Sequence, residues 1–317
     1  MSRLSERKII LVVRSTRLME LEARFATKAQ AEFYVTRLGG DFSDYEREDE
    51  IYRAAVETAQ RALEEVGRVQ LVQRSFLPNF LFGPEDLVVA IGQDGLVANT
   101  LKYLDGQPLV GVNPDPARWD GQLLPFRVPD LARVMRELLR DGRKLREVTM
   151  AEARLNTGLK LLAVNDLFLG MRTHASARYE IHWGEQREVH SSSGVIVSTG
   201  LGSTGWFQSL MTGAARIAAA SGQAVTRKQP AQGAPRIQVP WEADYLHFTV
   251  REPFPSRTTG TALVFGRVTK DQPLVLESRM GENGVIFSDG IEQDFLEFNS
   301  GTRAEIAIAA KRGRLVV

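Results

Sequence analysis

Val88-Val89-Ala90-Ile91-Gly92-Gln93-Asp94-Gly95-Leu96 is the stretch on which the reading of the fold turns. Its unbroken apolar run marks a strand buried on both faces, as in a parallel sheet. Two glycines bracket a tight turn, and Val97, Leu101 and Leu104 then recur at helical spacing until Asp105-Gly106 stops them. The alternation extends in both directions. Ile9 to Val13, Val69 to Val72 and Leu109 to Val112 are further apolar strand segments. A long polar, helical region ends with Val56, Ala59, Leu63 and Val66 on one face, closed by Gly67. Leu131, Val134, Met135, Leu138 and Leu139 form another apolar face between a capping Asp130 and Gly142. Strands alternating with helices predict an α/β domain with a parallel sheet.

Near residue 145 the rhythm changes. Ala177, Tyr179, Ile181 and Trp183 alternate with polar residues before Gly184 turns the chain. Tyr245 to Val250, Ala262 to Val268, Leu274 to Leu276 and Ile306 to Ile308 read as further short strands. This is the pattern of an all-β antiparallel domain. An alanine-rich helix from about Ser203 to Ala220 interrupts it, and Ser221 to Pro240 reads as a surface loop. The expected organisation is an α/β nucleotide- and phosphate-binding domain over 1–145 and a β-rich domain over 146–317, with a cleft between them as the default ligand site.

Composition narrows the function classes. The 317 residues are 43% hydrophobic and 25% charged, ordinary for a globular protein. Forty basic residues against 39 acidic leave a formal charge of +1, so no global field draws in nucleic acid or an anionic membrane. There is no cysteine, which removes disulfides, thiolate nucleophiles and thiolate metal sites. No apolar stretch approaches the roughly 20 residues needed to span a bilayer. Met1 to Lys8 lacks the apolar core of a signal peptide, so the expected location is cytoplasmic. The four histidines show no helical ligand pair, and no metal ligand set is expected from them.

Three segments carry chemistry. At Gly92 to Leu96, free backbone N–H groups and the positive end of a helix can hold phosphate oxygens. Asp94 stands at the carboxyl end of a strand, where open α/β sheets place ligands. It is either a proton acceptor in phosphoryl transfer or an ordinary N-cap. In Gly194 to Trp206 a strand runs into a loop of glycines and hydroxyls ahead of a helix; Ser203 or Thr204 would cap that helix, and Trp206 offers either an aromatic face or a core side chain. Asn165-Asp166 interrupts the apolar run from Leu161 to Leu169. Such polar residues are either partners for ligand hydroxyls or a solvent-facing bulge.

Taken together these residues carry a resemblance. Gly92-Gln93-Asp94-Gly95-Leu96 is similar to the Gly-Gly-Asp-Gly-Thr motif of the NAD kinase and lipid kinase superfamily. Asn165-Asp166 resembles the Asn-Glu pair of NAD kinases, and Ser198 to Trp206 resembles their Thr-Gly-Ser-Thr-Ala-Tyr loop. Ser15-Thr16-Arg17, Gly111 to Pro116 with Gly121 and Leu123, Ser191 to Trp206, and Phe248 to Pro253 look closest to the mitochondrial-type branch.

The resemblance implies the two-domain NAD kinase fold, a homodimer, and transfer of a phosphoryl group from ATP, with Mg²⁺, to the 2′-hydroxyl of the adenosine ribose of NAD. It implies Asp94 as the base and Gly92, Gln93, Gly95 and Leu96 at the phosphates. Asn113, Asn165 and Asp166 would contact the nucleotide, and Thr199, Leu201, Ser203, Thr204 and Trp206 would form the adenine loop. Gln93 and Leu96 stand where the family has glycine and threonine, Asp166 where it has glutamate, and Leu201 and Gly205 also depart from it. A lipid kinase and a non-catalytic NAD-binding protein are the competing readings. A Rossmann dehydrogenase is disfavoured, since Arg14-Ser15-Thr16-Arg17 replaces the glycine fingerprint after the first strand.

Overall fold

The computed structural model describes residues 4–140, 142–222 and 238–317, leaving aside the side chains of Glu292 and Gln293. Most of the expected surface loop from Ser221 to Pro240 therefore lies outside the described residues. The chain divides into two compact units, Met1–Arg146 with Gly313–Val317, and Glu147–Arg312.

The first unit contains β1 (Lys8–Val13), α1 (Arg17–Phe25), α2 (Lys28–Arg37), α3 (Phe42–Glu64), β2 (Arg68–Gln73), β3 (Leu87–Ile91), α4 (Asp94–Tyr103), β4 (Pro108–Asn113), β5 (Phe126–Arg127) and α5 (Leu131–Arg140). Strands β2, β1, β3 and β4 lie side by side, all parallel. Beyond β4, Arg314 and Leu315 at the end of the chain pair in parallel with Pro108 and Leu109. Ile9, Leu11, Val89 and Ile91 pack on one face against Ala59 and Leu63 of α3 and Val134 and Met135 of α5. On the opposite face Ile10, Val12, Val88 and Ala90 are fully buried as well, so continuous apolar strands are what this sheet requires. The stretch before α3 is not one helix. Ala26 takes a left-handed φ of 64° and ends α1, and the Thr27 hydroxyl accepts from Gln30 N to start α2. Leu18, Ala31, Val35 and Phe42 close a small core of their own around these helices.

The second unit contains β6 (Leu145–Leu155), β7 (Lys160–Ala163), β8 (Asp166–Met171), β9 (Ala177–Trp183), β10 (Gln186–Ser192), β11 (Val195–Ser198), α6 (Trp206–Ala220), β12 (Leu246–Val250), β13 (Phe265–Val268), β14 (Leu274–Ser278), β15 (Gly284–Ser288), β16 (Ile291–Glu297) and the body of β17 (Arg303–Val316). One sheet runs β10-β9-β14-β17, with β6 and β7 joined to it, and the other runs β13-β12-β11-β8-β15-β16. Their inner faces share a core that includes Tyr179, Ile181, Leu274 and Leu276 from one sheet and Leu167, Leu169, Val197 and Phe248 from the other.

Two readings of the sequence are corrected here. The apolar run from Leu161 to Leu169 is not one interrupted strand: β7 ends at Ala163 in the first sheet, and β8 begins at Asp166 in the second. The polar pair marks the crossing. The short strand at Ile306 to Ile308 is part of a 14-residue strand, because its start pairs with β14 and its end with β4.

Leu63 is fully buried in the α3 face against the parallel sheet. Leu63→Ala is expected to lower unfolding free energy by about 2–5 kcal/mol, read as a lower urea midpoint with unchanged m-value. A change below 1 kcal/mol would mean that this helix face contributes little to the first unit.

Candidate active site

In the first unit the glycine turn is held from below. The Tyr52 phenol, buried in α3, donates to the Ile91 carbonyl at 2.9 Å and accepts from Arg14 N at 2.9 Å, tying the ends of β3 and β1. Burial raises this phenol to about 12, so it remains a donor at neutral pH. Arg14 lies across the Tyr52 ring and pairs with Glu48 at 2.8 Å, both side chains less than a tenth exposed. Burial alone would raise the Glu48 carboxyl, but hydrogen bonds from Arg14 and Arg17 outweigh it and hold it below its ordinary value. Asp44 is held well below the carboxylate range by Arg118 and Arg17. Three arginines thus gather near the end of β1, largely neutralised by Glu48 and Asp44. The sequence offered one sign of this network: the charged pair Glu48-Asp49 lies within the helix α3, and both residues are buried.

At the turn itself, Gln93 is the N-cap of α4 without a side-chain capping bond, so Asp94 is the first helical residue and not the cap. The Asp94 carboxylate accepts from Leu123 N at 2.8 Å and from Gln122 N at 3.3 Å, which fixes its orientation. A carboxylate offers about four acceptor positions, so two remain for a ligand. A Cβ at Gly92 would meet Leu96 Cδ2 at 2.9 Å, so the tip of the Leu96 side chain would have to shift. A Cβ at Gly95 would meet nothing within 4 Å. Leu96 is buried beneath the turn and presents no polar group. Asn113 is buried too, with its amide donating to Trp119 O at 2.9 Å and accepting from Asp115 N at 3.0 Å. It shapes the loop that leads to Gly121 and Leu123.

In the second unit the residues at the β7–β8 crossing are brought together. Asp289, at the turn between β15 and β16, accepts from Val164 N at 3.1 Å, Asn165 N at 2.6 Å and Asp166 N at 3.3 Å. Asp289 N returns a bond to Asp166 O at 3.0 Å. Sequence reasoning missed Asp289; its sign was the Asp289-Gly290 turn between two strand-like segments. The Asn165 amide has no partner among the described residues and stands half-buried. The Asp166 side chain is buried, and burial, then the Asp289 carboxylate, push its carboxyl up to about 7.

The Ser198 to Trp206 loop packs directly on this crossing. Thr199 N donates to Asn165 O at 2.9 Å, the Thr199 hydroxyl donates to Val164 O at 2.5 Å, and Gly202 N donates to that hydroxyl at 3.1 Å. A Cβ on Gly202 would lie 2.0 Å from Asn165 O, so glycine is obligatory there. Thr199, Leu201 and Ser203 are buried within the loop, whereas Thr204 is exposed. Neither Ser203 nor Thr204 caps the helix as expected. It begins two residues later, with Gly205 as N-cap, and the Ser203 hydroxyl donates back to Gly200 O at 2.7 Å. Trp206 stacks on Phe168 at 5.8 Å with Arg251 over its ring at 5.2 Å. With Phe287 and Phe295 they line a cavity of about 140 Å³.

No protein-family model matches this sequence, and no curated protein does. The crystal structure of an NAD kinase from Archaeoglobus fulgidus in complex with ATP is similar over 98% of this chain and 93% of its own, with a TM-score of 0.57 and 14% identity. Yeast NADH kinase complexed with NADH is similar over 99% of this chain and 84% of its own, with a TM-score of 0.58 and 14% identity. The chain has the NAD kinase fold. The α/β unit followed by an antiparallel β unit, expected from the sequence, is the architecture of that fold. No helix among the described residues is long and apolar enough to cross a membrane.

One further cluster lies in the NAD kinase fold's β unit. Glu180, His182 and Glu277 bring ligand atoms within 4.8 Å of one another through the pairing of β9 with β14. Glu180 already faces Arg279 at 2.5 Å and Glu277 faces Arg303 at 3.6 Å, so both carboxylates have counterions.

The raised Asp166 carboxyl has a measurable consequence. Folded protein binds this proton more tightly than unfolded protein, so the stability it confers is complete below about pH 4 and lost as pH rises through about 7. Asp166→Asn, which cannot ionise, is expected to gain in thermal midpoint over the parent protein from about pH 5 to pH 8. Parallel midpoint-against-pH curves for the two proteins would show that Asp166 is not a buried titrating group.

Proposed function

We propose that this chain is an NAD kinase, which transfers the γ-phosphoryl group of ATP to the 2′-hydroxyl of the adenosine ribose of NAD to give NADP. The observation that carries the proposal is the turn at Gly92 to Gly95. It sets an oriented carboxylate with acceptor capacity to spare beside a helix start, and Gly95 leaves that start open where packing asks for no glycine. Likeness of fold to an NAD kinase and an NADH kinase supports the choice of substrate.

On this reading the ribose 2′-oxygen attacks the γ-phosphorus, the bond from that phosphorus to the β,γ-bridging oxygen breaks, and ADP leaves. The hydroxyl proton passes to Asp94. Backbone N–H groups at the start of α4 hold the phosphates. Mg²⁺ accompanies ATP as part of the co-substrate and neutralises phosphate charge. The unpartnered Asn165 amide, with Asp166, holds the adenosine. Thr204 and Trp206 line the adenine side, while Thr199, Leu201 and Ser203 keep the loop in shape beneath them. The same reading carries with it a cytoplasmic homodimer of the mitochondrial-type branch.

A non-catalytic NAD-binding protein is the second reading, favoured by the two N–H groups already bound to Asp94 and by the Gln93 side chain at the phosphate turn. A lipid kinase has less support. The aromatic cavity of about 140 Å³ is well below the roughly 300 Å³ at which pockets for drug-sized ligands begin, and it would not take an acyl chain.

Asp94→Asn is expected to cut NADP formation by about 10²–10⁴-fold while NAD binding persists, measured by product detection and by calorimetry. Unchanged turnover would remove Asp94 as the base, and loss of NAD binding as well would make it a structural residue. Gln93→Gly is expected to raise turnover or lower the KM for ATP by opening the phosphate turn. A fall to background would instead make the Gln93 amide part of the donor site.

A further inference from the structure

The β unit contains a second groove, of about 760 Å³, that the proposed reaction does not use. It lies along β10, at the end of its sheet, where a following segment runs beside that strand through bonds from Phe254 N to Ser191 O and from Gly260 N to Val189 O. The structure assigns this groove to a small phosphorylated polyhydroxy ligand, such as a sugar phosphate.

The first ground is charge. Arg178 on β9 and Arg279 just after β14 line the groove, and Arg279 N donates to Arg178 O, so the two residues are adjacent. Arg279 is braced by Glu180 at 2.5 Å and half exposed. Arg178 is exposed and has no ion pair among the described residues. With both arginines lining one groove, their planar donors are suited to the oxygens of a phosphate monoester.

The second ground is the lining. Ser191 and Ser193 present hydroxyls with no partner among the described residues. Phe254 is 64% exposed on the groove wall, an apolar face suited to the C–H side of a sugar ring. Anion donors at one place, free hydroxyls at another, and an aromatic wall together describe a phosphorylated polyol better than either inorganic phosphate or an apolar molecule.

The test is calorimetric titration of the full chain with ribose 5-phosphate, inorganic phosphate and ribose, each to about 10 mM. Ribose 5-phosphate should bind at least about 10-fold more tightly than either fragment, and Arg178→Ser should weaken it by about 10-fold or more, with Arg178→Lys between them. Arg178 is exposed, so an unchanged thermal midpoint verifies that the variant is folded. NAD titrated against the same variants should bind as to the parent protein; a loss of NAD binding in Arg178→Ser would make the groove part of the dinucleotide site and overturn its assignment to a separate ligand. No binding of ribose 5-phosphate, equal binding of inorganic phosphate, or equal affinity in Arg178→Ser would overturn the assignment. None of these results depends on NADP formation, so the groove and the kinase reading stand or fall separately.

Discussion

Between Ala163 and Asp166 the chain leaves one sheet of the β unit for the other, and the N–H groups of Val164, Asn165 and Asp166 must find acceptors away from either ladder. Asp289 meets all three with one carboxylate. Buried backbone donors cost stability unless paired, so this carboxylate is what allows the crossing to exist. Much of the local structure follows. With its N–H and C=O groups engaged, Asn165 is free to offer its side chain outward. Asp166 is confined beside a second carboxylate, which is one reason its own carboxyl holds a proton so readily. Gly202 can lie against the Asn165 carbonyl because it has no side chain to interfere.

A parallel device operates in the α/β unit. There the phenol of Tyr52, not a carboxylate, bridges the ends of two strands, and Arg14 and Glu48 form a buried ion pair beside it. A buried pair of this kind contributes little net stability, since desolvation offsets attraction, but it is costly to break from one side. Its effect is therefore to fix geometry. The turn carrying Asp94 rises from a strand end held by Tyr52, and its carboxylate is aimed by Gln122 N and Leu123 N. Each unit's candidate residues are thus held by polar contacts between residues far apart in sequence.

That separation explains what the sequence disclosed and what it withheld. The parallel strands were legible because burial on both faces demands unbroken apolar runs, as in Ile9 to Val13 and Leu87 to Ile91. Asp94 and the Asn165-Asp166 pair were legible because a polar residue beside such a run is conspicuous. Asp289 was not, because Asp-Gly between two strands reads as an ordinary hairpin turn, and its partners lie more than 120 residues earlier. The length of β17 was hidden for a different reason. Its two ends satisfy different neighbours, one antiparallel and one parallel, so no single alternation runs through it. The start of α6 was also misjudged: the Ser203 hydroxyl donates to Gly200 O and does not cap the helix, whose N-cap is Gly205.

The glycines sharpen the argument about function, because steric demand distinguishes them. At Gly111, Gly200 and Gly202 an added Cβ would press to about 2 Å from a backbone oxygen, so the fold accounts for each of them. Gly95 is different. It sits in the first turn of α4 with open space where a Cβ would be, and its backbone does not take the left-handed conformation that favours glycine. Glycine within a helix costs up to about 1 kcal/mol relative to alanine, and here packing gives nothing in return. Closeness of approach remains as the physical use of such a residue. A molecule with negative oxygens, resting on the free N–H groups at the start of α4, would come nearer to the backbone at Gly95 than any side chain would permit. Gly213 within α6 is equally open, so it is the place of Gly95 at a helix start, beside the oriented Asp94 carboxylate, that makes it a pointer to phosphate.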